Sequence, residues 1–378
     1  MKIVADENIP QVKEAFENFG NVILQDGRKI SNKDVIDADV LLVRSITNVN
    51  GSLLKNSKVK FVATATIGTD HVDTEYLHAS NIFFIDAKGC NAFSVAEYVV
   101  CAVTDLFSSN GKKFSGKTFG VVGYGNIGTK VARFANALGF NVLINDPPLQ
   151  RINYPQTFHP LTDVLNCDVV TFHVPLNKEG VDKTLHMINN ETLGLIRSGS
   201  VLINSSRGPV VQNEILKERI IKKKNLFTVL DVWENEPNID SELLSLVDFG
   251  TPHIAGYSLE GKLNGTLIIY NKFCEHFNFT QNWVPNYPSI VNKVTEINSE
   301  KSIEETLQEI CSKIYDIKKD SAELKSSVNF DDEKRKKHFD ELRKNYPIRR
   351  EFNNYTIKLS GNDGKVKQIL STLRFKVI

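Results

Sequence analysis

The chain has 378 residues, a length that predicts two or three domains of ordinary size. Its hydrophobic fraction of 41% is typical of a soluble globular protein. The formal net charge is +1, so no overall excess of charge would attract nucleic acid or a membrane surface. We expect neither a secretory signal, because the N-terminus becomes polar after Val4, nor an apolar run that spans a bilayer.

The cysteines are scattered along the chain, and no two of them form a C-x-x-C pair. Zinc sites and redox motifs use closely spaced cysteines, so we expect no metal site. Unpaired thiols are typical of a reducing compartment, which predicts a cytoplasmic protein. The five positions are Cys90, Cys101, Cys167, Cys274 and Cys311.

Residues 1 to about 90 alternate short apolar runs with amphipathic segments, which predicts a parallel sheet covered on both faces. Ligands of such sheets bind beyond the carboxyl ends of the strands. Hydroxyl groups and one arginine lie there, at Arg44–Thr47 and Thr64–Thr69, and suit an anionic, hydroxylated molecule. Helix caps and turns would explain about half of these polar residues equally well. The runs predicted as strands are Ile3–Ala5, Val22–Leu24, Val40–Val43, Phe61–Ala63 and Ile82–Ile85.

A glycine-rich turn marks the start of a second domain, after a predicted helix over Ala92–Phe107. A buried strand, Thr118–Val122, precedes the turn, and a helical pattern that ends at Gly139 follows it. This order is the dinucleotide-binding βαβ pattern in its required context. The turn carries three glycines and then the first amides of the helix, which would face the phosphates. Its predicted cofactor contacts are Gly123, Gly125, Asn126, Ile127 and Gly128.

Asp146 ends the second strand of this pattern, Asn141–Ile144. A carboxylate there accepts hydrogen bonds from the adenosine ribose and repels a 2′-phosphate, so the pattern favours NAD over NADP. A turn before Pro147 is a second, compatible explanation of this aspartate.

Three further motifs follow predicted strands in this domain. They are NSSRGPVV at Asn204–Val211, DVWENEP at Asp231–Pro237 and TPHIAGY at Thr251–Tyr257. Together with the glycine turn they resemble the D-2-hydroxyacid dehydrogenase family, over residues 1 to about 280. The resemblance implies that Arg207, Glu236 and His253 are catalytic.

The chemistry of these residue types fits that resemblance. Oxidation of a hydroxy acid requires loss of the hydroxyl proton, and a histidine can accept it as a general base. Glu236 would hydrogen-bond the other imidazole nitrogen of His253 and fix its tautomer. Arg207 would bind the substrate carboxylate through two parallel hydrogen bonds. Position alone does not select His253 among eight histidines; His71 and His173 stand out equally.

The N-terminal motifs resemble the members of the family that oxidise a phosphorylated four-carbon 2-hydroxy acid. The resemblance implies that Ser45, Thr66 and Tyr257 bind the substrate, and Arg44 is a candidate for its phosphate. It also implies NAD contacts from Val174, Ser205, Asp231 and Gly256, in addition to Asp146. Members that use a phosphorylated three-carbon acid, and NAD-sensing binding proteins on the same fold, remain alternatives.

From about Trp283 the composition changes, and prolines mark a linker. A capping box at Ser302 and apolar residues from Ile303 to Ile317 predict an amphipathic helix, whose apolar seam is either a core or a dimer surface. A charged helix over 331–344 and strands near 355–359 and 375–378 complete a small α+β module. The family's C-terminal domain implies homodimerisation through this module. Arg349 and Arg350 are expected to form a solvated basic turn, with contact to the substrate phosphate as the alternative.

The sequence thus predicts an α/β protein with two doubly wound parallel-sheet domains and a small C-terminal α+β dimerisation domain. Residues 1–92 with 257–280 form the flavodoxin-like substrate domain. Residues 93–256 form the Rossmann NAD domain, and residues 281–378 form the third domain. A phosphorylated 2-hydroxy acid, NAD and a second copy of the chain are the expected partners.

Overall fold

Two compact units make up the computed structural model, which describes residues 1–223, 225–290, 294–298, 300–361 and 364–378. One unit comprises residues 1–91 and 258–289, and the other comprises residues 92–257 and 290–378. Each unit contains a parallel sheet of its own. The predicted α/β class with two parallel, helix-covered sheets is confirmed.

The sheet of the first unit has five parallel strands in the order β2-β1-β3-β4-β5, which is the flavodoxin-like order. β3 and β4 are buried along their whole length, as expected for strands covered on both faces. The predicted helix over 10–19 is shorter and continues as a 3₁₀ turn, Glu17–Phe19. The elements are β1 (Lys2–Asp6), α1 (Val12–Phe16), β2 (Asn21–Gln25), α2 (Asn32–Val35), β3 (Val40–Val43), α3 (Gly51–Leu54), β4 (Phe61–Thr64), α4 (Thr74–Ala79) and β5 (Phe83–Asp86).

The sheet of the second unit has six parallel strands in the order β11-β10-β9-β8-β6-β7. Its first helix, α5, is the one helix among the described residues with the length and composition to cross a membrane, but most of it is buried, as in the core of a soluble protein. The elements are α5 (Ala92–Ser109), β6 (Thr118–Val122), α6 (Asn126–Leu138), β7 (Asn141–Asn145), α7 (Pro147–Arg151), α8 (Leu161–Leu165), β8 (Val169–Phe172), α9 (Asn190–Leu193), β9 (Val201–Asn204), α10 (Asn213–Lys223), β10 (Phe227–Leu230), α11 (Ser241–Leu246) and β11 (Phe249–Gly250).

The chain then returns to the first unit through α12 (Leu259–Phe277). Ser258 caps this helix, since its Oγ accepts a hydrogen bond from the Gly261 amide at 2.8 Å. A Cβ at Gly265 would lie 2.6 Å from the carbonyl oxygen of Ala65, so only glycine permits this close approach of helix and sheet edge.

Residues 294–378 add a small parallel sheet in the order β12-β13-β14 and four helices to the second unit. The predicted capping box at Ser302 is present. The predicted single amphipathic helix is wrong, because Asp316 caps a new helix after Tyr315. The elements are β12 (Val294–Asn298), α13 (Ile303–Ile314), α14 (Ile317–Lys325), α15 (Asp332–Lys344), β13 (Thr356–Ser360), α16 (Gly364–Thr372) and β14 (Lys376–Val377).

The apolar seam of α13 is buried inside the chain. Leu307 and Ile310 are fully buried and belong to one cluster with Val99 and Val103 of α5. Glu304 strengthens the joint, since its Oε1 accepts a hydrogen bond from the Phe114 amide at 2.9 Å. The seam is therefore a shared core, and it is not available as a dimer surface.

Candidate active site

The glycine turn between β6 and α6 is required by steric crowding. Gly123 has φ +90°, and a Cβ there would lie 2.5 Å from the His173 carbonyl oxygen and 2.9 Å from Val174 Cγ1. A Cβ at Gly128 would lie 1.9 Å from the Gly123 carbonyl oxygen. The turn therefore tolerates no side chain at either position, as the predicted dinucleotide-binding pattern requires.

The N-terminus of α6 is open. Gly125 is its N-cap residue, and no side chain among the described residues caps the helix there. A Cβ at Gly125 would have no heavy atom within 4 Å. The first amides of the helix, at Asn126 and Ile127, thus lie beside space in which backbone can approach a phosphate.

Asp146 holds the backbone around this turn. Its Oδ2 accepts a hydrogen bond from the Tyr124 amide at 2.7 Å, and its Oδ1 accepts one from the Leu149 amide at 3.0 Å. The residue is thus the N-cap of α7 and is only partly buried. A carboxylate has about four acceptor positions, so the two used here leave others for ribose hydroxyls.

Two polar atoms at the ends of β8 and β9 are buried without a hydrogen-bond partner among the described residues: Ser205 Oγ and His173 Nδ1. The strands are neighbours, with Phe172 opposite Asn204. Burial lowers the pKa of His173 to about 3, so its ring is neutral. Orphaned polar atoms beside a glycine turn fit a polar ligand such as a dinucleotide. The residues present therefore fit the predicted cofactor.

His253 and Glu236 form a hydrogen-bonded pair. His253 Nδ1 lies 2.8 Å from Glu236 Oε2, and Glu236 Oε1 accepts a hydrogen bond from the Trp233 amide at 2.7 Å. Burial opposes ionisation of Glu236, but the attraction and hydrogen bond of His253 outweigh it and lower the pKa of the carboxyl. The other ring nitrogen, Nε2, remains for a substrate.

Asp231 shapes the loop that carries His253. Its Oδ1 accepts hydrogen bonds from the Thr251 hydroxyl and the Ile254 amide, both at 2.7 Å, and its Oδ2 accepts one from the Ala255 amide at 2.9 Å. Asp231 is 1% exposed. Burial raises its pKa in spite of the His253 charge and these hydrogen bonds. The loop thus closes around one buried carboxyl, and His253 adopts φ +58°.

The loop after β9 presents Arg207. Asn204 Nδ2 donates to the Arg207 carbonyl at 2.9 Å, and Arg207 Nη1 donates to the Ser206 carbonyl at 2.7 Å. A Cβ at Gly208 would lie 1.9 Å from the Trp233 carbonyl oxygen. The arginine loop therefore packs backbone against backbone on the loop that bears Glu236.

The predicted substrate residues Arg44, Ser45 and Thr66 follow neighbouring strands of the first unit, β3 and β4. Thr66 Oγ1 lies 2.7 Å from Thr64 Oγ1, which lies 3.1 Å from His71 Nε2. His71 therefore orients two hydroxyls at this edge. The structure brings these residues together within the first unit, as the sequence predicts for one sheet edge.

Tyr257 belongs to the second unit, where Gly256 and Tyr257 follow the His253 loop. Its ring contacts that of Tyr346 edge to face, with centroids 6.0 Å apart. The guanidinium carbon of Arg343 lies 5.7 Å from the Tyr257 ring centroid. The sequence gave no reason to place Arg343 here, because it lies in a helix whose charged pattern resembles a solvated surface.

The expected solvated turn at Arg349 and Arg350 is wrong, because both residues are 8% exposed. Arg349 Nη2 donates to the Ala255 carbonyl, and its guanidinium carbon lies 4.4 Å from the Tyr315 ring centroid. Arg350 Nη2 donates to Asn354 Oδ1 at 3.1 Å. The two arginines hold the C-terminal segment to the rest of the unit.

Comparison with protein families gives two matches. Residues 102–255 match the NAD-binding domain of the D-isomer specific 2-hydroxyacid dehydrogenases. Residues 289–373 match a domain described only as one of unknown function.

Curated relatives named erythronate-4-phosphate dehydrogenase align with the whole chain. The protein of Pseudomonas fluorescens is 40% identical, and the alignment covers 100% of both chains. The protein of Tolumonas auensis is 40% identical over 98% of both chains.

Solved structures share the fold. The NAD⁺-bound 3-phosphoglycerate dehydrogenase of Entamoeba histolytica matches with a TM-score of 0.63 and 24% identity, over 74% of this chain and 95% of its own. The NAD-dependent formate dehydrogenase of Staphylococcus aureus, in complex with NAD, matches with a TM-score of 0.61 and 23% identity, over 74% and 96%.

Proposed function

The chain belongs to the D-isomer-specific 2-hydroxyacid dehydrogenase family, and on that premise we propose that it oxidises 4-phospho-D-erythronate with NAD. The product is (R)-3-hydroxy-2-oxo-4-phosphooxybutanoate, an intermediate of pyridoxal 5′-phosphate (vitamin B6) synthesis. The observation that carries the proposal is the His253–Glu236 pair at 2.8 Å, which leaves one imidazole nitrogen as a base. The choice of substrate follows the full-length relatives.

The glycine turn and the residues around it bind the cofactor. Backbone amides of Asn126 and Ile127 bind the pyrophosphate at the start of α6, and Asp146 accepts from the adenosine ribose. Val174, Ser205, Asp231 and Gly256 contact the nicotinamide half, as listed for the family's pattern: these are the residues that follow β8, β9, β10 and the His253 loop. NAD supplies the acceptor for the hydrogen, with both electrons, on the substrate's C2.

His253 is the general base. Nε2 accepts the proton of the C2 hydroxyl, because Nδ1 is engaged with Glu236. The ionised Glu236 fixes that tautomer and balances the imidazolium that forms. In the reverse direction the same nitrogen returns the proton.

Arg207 binds the substrate carboxylate and polarises the forming carbonyl, for which its planar fork of donors is suited. Ser45, Thr66 and Tyr257 bind the hydroxylated chain of the substrate. Arg44 is a candidate partner for the phosphate. These assignments rest on the family pattern and on the residue types at each position.

The direct test compares NADH formation with 4-phospho-D-erythronate and with 3-phospho-D-glycerate, with a 2-oxo acid added in case NADH stays bound. We expect turnover of the four-carbon acid and a much lower kcat/KM for the three-carbon acid. The opposite preference would make the chain a phosphoglycerate dehydrogenase. NAD binding without turnover of either acid would make it an NAD-sensing protein on this fold.

A homodimer formed through residues 290–378 is part of the proposal. Exposed apolar side chains support it, since Ile348 is 71% exposed and Val294 is 53% exposed. Light scattering on the full chain should give twice the chain mass, and Ile348→Asp should lower it. A truncation near residue 285 would not test this, because it removes part of the core shared with α5. A single-chain mass for the unaltered protein would contradict the proposal.

The cytoplasmic assignment is also a proposal. All five cysteines are free and buried, which suits a reducing compartment. Fractionation of cells that express the full chain should recover it with cytoplasmic enzymes, and recovery from another compartment would contradict the assignment.

A further inference from the structure

The C-terminal segment reaches the candidate active site through one arginine. Arg343 lies in the last turn of α15, and its guanidinium carbon lies 5.7 Å from the Tyr257 ring centroid and 5.9 Å from that of Phe339. Phe339 is fully buried, so the base of this arrangement is rigid core. Arg343 is thus held between a core aromatic ring and a proposed substrate residue.

The surrounding segment is fixed at several points. The Tyr346 ring contacts Tyr257, and the Tyr346 hydroxyl donates to Asp320 Oδ2 at 2.7 Å. Arg349 donates to the carbonyl of Ala255, two residues after His253. Residues 339–349 therefore lie along the loop that carries the catalytic histidine, and Arg343 has little freedom to leave it.

The charge of Arg343 acts on the candidate catalytic pair. Burial disfavours its charged form, but attraction by Tyr257 and Glu236 outweighs burial and raises its pKa. Arg343 in turn is one of the groups that lower the pKa of Glu236, after burial, which raises it, and His253. A fixed cation therefore lies within electrostatic reach of the reacting centre.

The donors of Arg343 suit an anionic ligand. Its Nε is inaccessible to solvent and has no hydrogen-bond partner within the described ranges. A buried guanidinium donor without a partner is costly, and a phosphate oxygen would satisfy it. The planar fork of donors matches phosphate through two parallel bonds.

We propose that Arg343 binds the phosphate of the substrate, with Tyr257 holding the guanidinium in place. The inference rests on the proposed function, in which Arg207 binds the carboxylate at the other end of the same acid. It makes the C-terminal segment a determinant of specificity for a phosphorylated substrate. It also gives the phosphate a partner in addition to the candidate Arg44.

The test compares Arg343→Gln with the unaltered enzyme on two ligands. 4-Phospho-D-erythronate is the substrate, and D-erythronate, which lacks the phosphate, is titrated as a competing ligand. We expect the KM of the phosphorylated acid to rise about 30-fold, as for loss of a charge-assisted pair of hydrogen bonds. The inhibition constant of D-erythronate and the affinity for NAD should stay within about twofold, because neither ligand uses this arginine.

Two further variants keep the test decisive. Lys344→Gln removes a neighbouring basic side chain that is exposed, and it should leave both constants unchanged. Arg343→Lys keeps the charge and the stem but not the fork, and its KM should rise about fivefold, even where Arg343→Gln does not fold.

Two results would overturn the inference. The first is an equal loss of affinity for both acids in Arg343→Gln, which would indicate a role through Glu236. The second is an unchanged KM in Arg343→Lys and Arg343→Gln. An unaltered enzyme that oxidises no phosphorylated acid would instead contradict the proposed function.

Discussion

The second unit contains two imidazole–carboxylate pairs with nearly the same geometry. His253 Nδ1 lies 2.8 Å from Glu236, and His186 Nε2 lies 2.7 Å from Glu234. Their exposures are also similar, with 36% for the His253 side chain and 40% for the His186 side chain. Distance and exposure therefore do not distinguish a catalytic pair from a structural one.

The two pairs differ in which ring nitrogen is engaged. His253 uses Nδ1, so the outer nitrogen Nε2 is left to act as a base. His186 uses Nε2, and only Nδ1, next to its own backbone, remains. Proton transfer needs a nitrogen that a substrate can approach, and the ring of His253 is the better oriented of the two.

The carboxylates also have different second partners. Glu234 Oε2 accepts a hydrogen bond from the Asn213 amide at 2.8 Å, at the start of α10. This pair fastens the loop before α9 to the start of α10. Glu236 instead accepts from Trp233 beside the Asp231 loop and lies near Arg343. The comparison shows that ring orientation and surroundings identify the candidate base.

Replacement of the two histidines should break the comparison most strongly. His253→Gln removes the proposed base, so kcat should fall by about 10³-fold or more. His186→Gln is the matched control and should change kcat by less than about threefold, because no step uses that ring. Steady-state NADH formation measures both. A His253→Gln enzyme with about a tenth of normal kcat would contradict the assignment.

Replacement of the two glutamates should have the next largest effect. In Glu236→Gln the amide oxygen can keep the Trp233 bond, so the amide nitrogen donates to His253 Nδ1. That interaction moves the ring proton to Nε2, which then accepts no proton, and kcat should fall about 100-fold or more. Glu234→Gln should leave kcat within about threefold. Equal kcat values in the two variants would show that Glu236 does not orient the base.

Asp231→Asn tests the support behind His253. Its amide would place a donor against one of three donors that now bond to the carboxyl. The free energy of unfolding should fall by about 1–3 kcal/mol, and kcat should fall with it as the His253 loop changes shape. Urea denaturation and kcat together measure this. An Asn variant with both quantities unchanged would mean that the loop holds its shape without the carboxyl.

The pH dependence of stability should give the smallest effect. The pKa of Glu236 is lowered in the folded protein, so its ionised form stabilises the fold above the usual value of 4.5. That contribution is lost as the pH falls through the lowered value. The difference in Tm between the unaltered protein and Glu236→Gln should therefore be constant near neutral pH and shrink below about pH 4.5. A difference that grows with acidity would contradict the sign of the shift.

Local motifs account for what the sequence predicted well. Gly123, Gly128 and Asp146 lie within one βαβ unit, so their steric and hydrogen-bonding roles follow from short-range geometry. His253 and Glu236 follow adjacent parts of one sheet, and their types matched a known pattern. In each case, a few neighbouring residues carry the information.

Long-range packing accounts for what the sequence did not predict. Arg343 lies in a helix rich in lysine and glutamate, a pattern typical of a solvated face, and only the fold brings it to Tyr257. Arg349 and Arg350 looked like a surface turn because two adjacent charges seldom are buried. The break between α13 and α14 was hidden because Ile314 and Ile317 continue the apolar spacing across it.

The most direct test of the account follows the hydrogen on C2 of the substrate. 4-Phospho-D-erythronate that carries deuterium at C2 is oxidised with NAD, and the reduced nicotinamide is analysed by mass spectrometry. The account predicts that the deuterium is recovered in NADH and that His253→Gln abolishes the transfer, whereas His186→Gln does not. Loss of the deuterium to water, or equal transfer by His253→Gln, would contradict it.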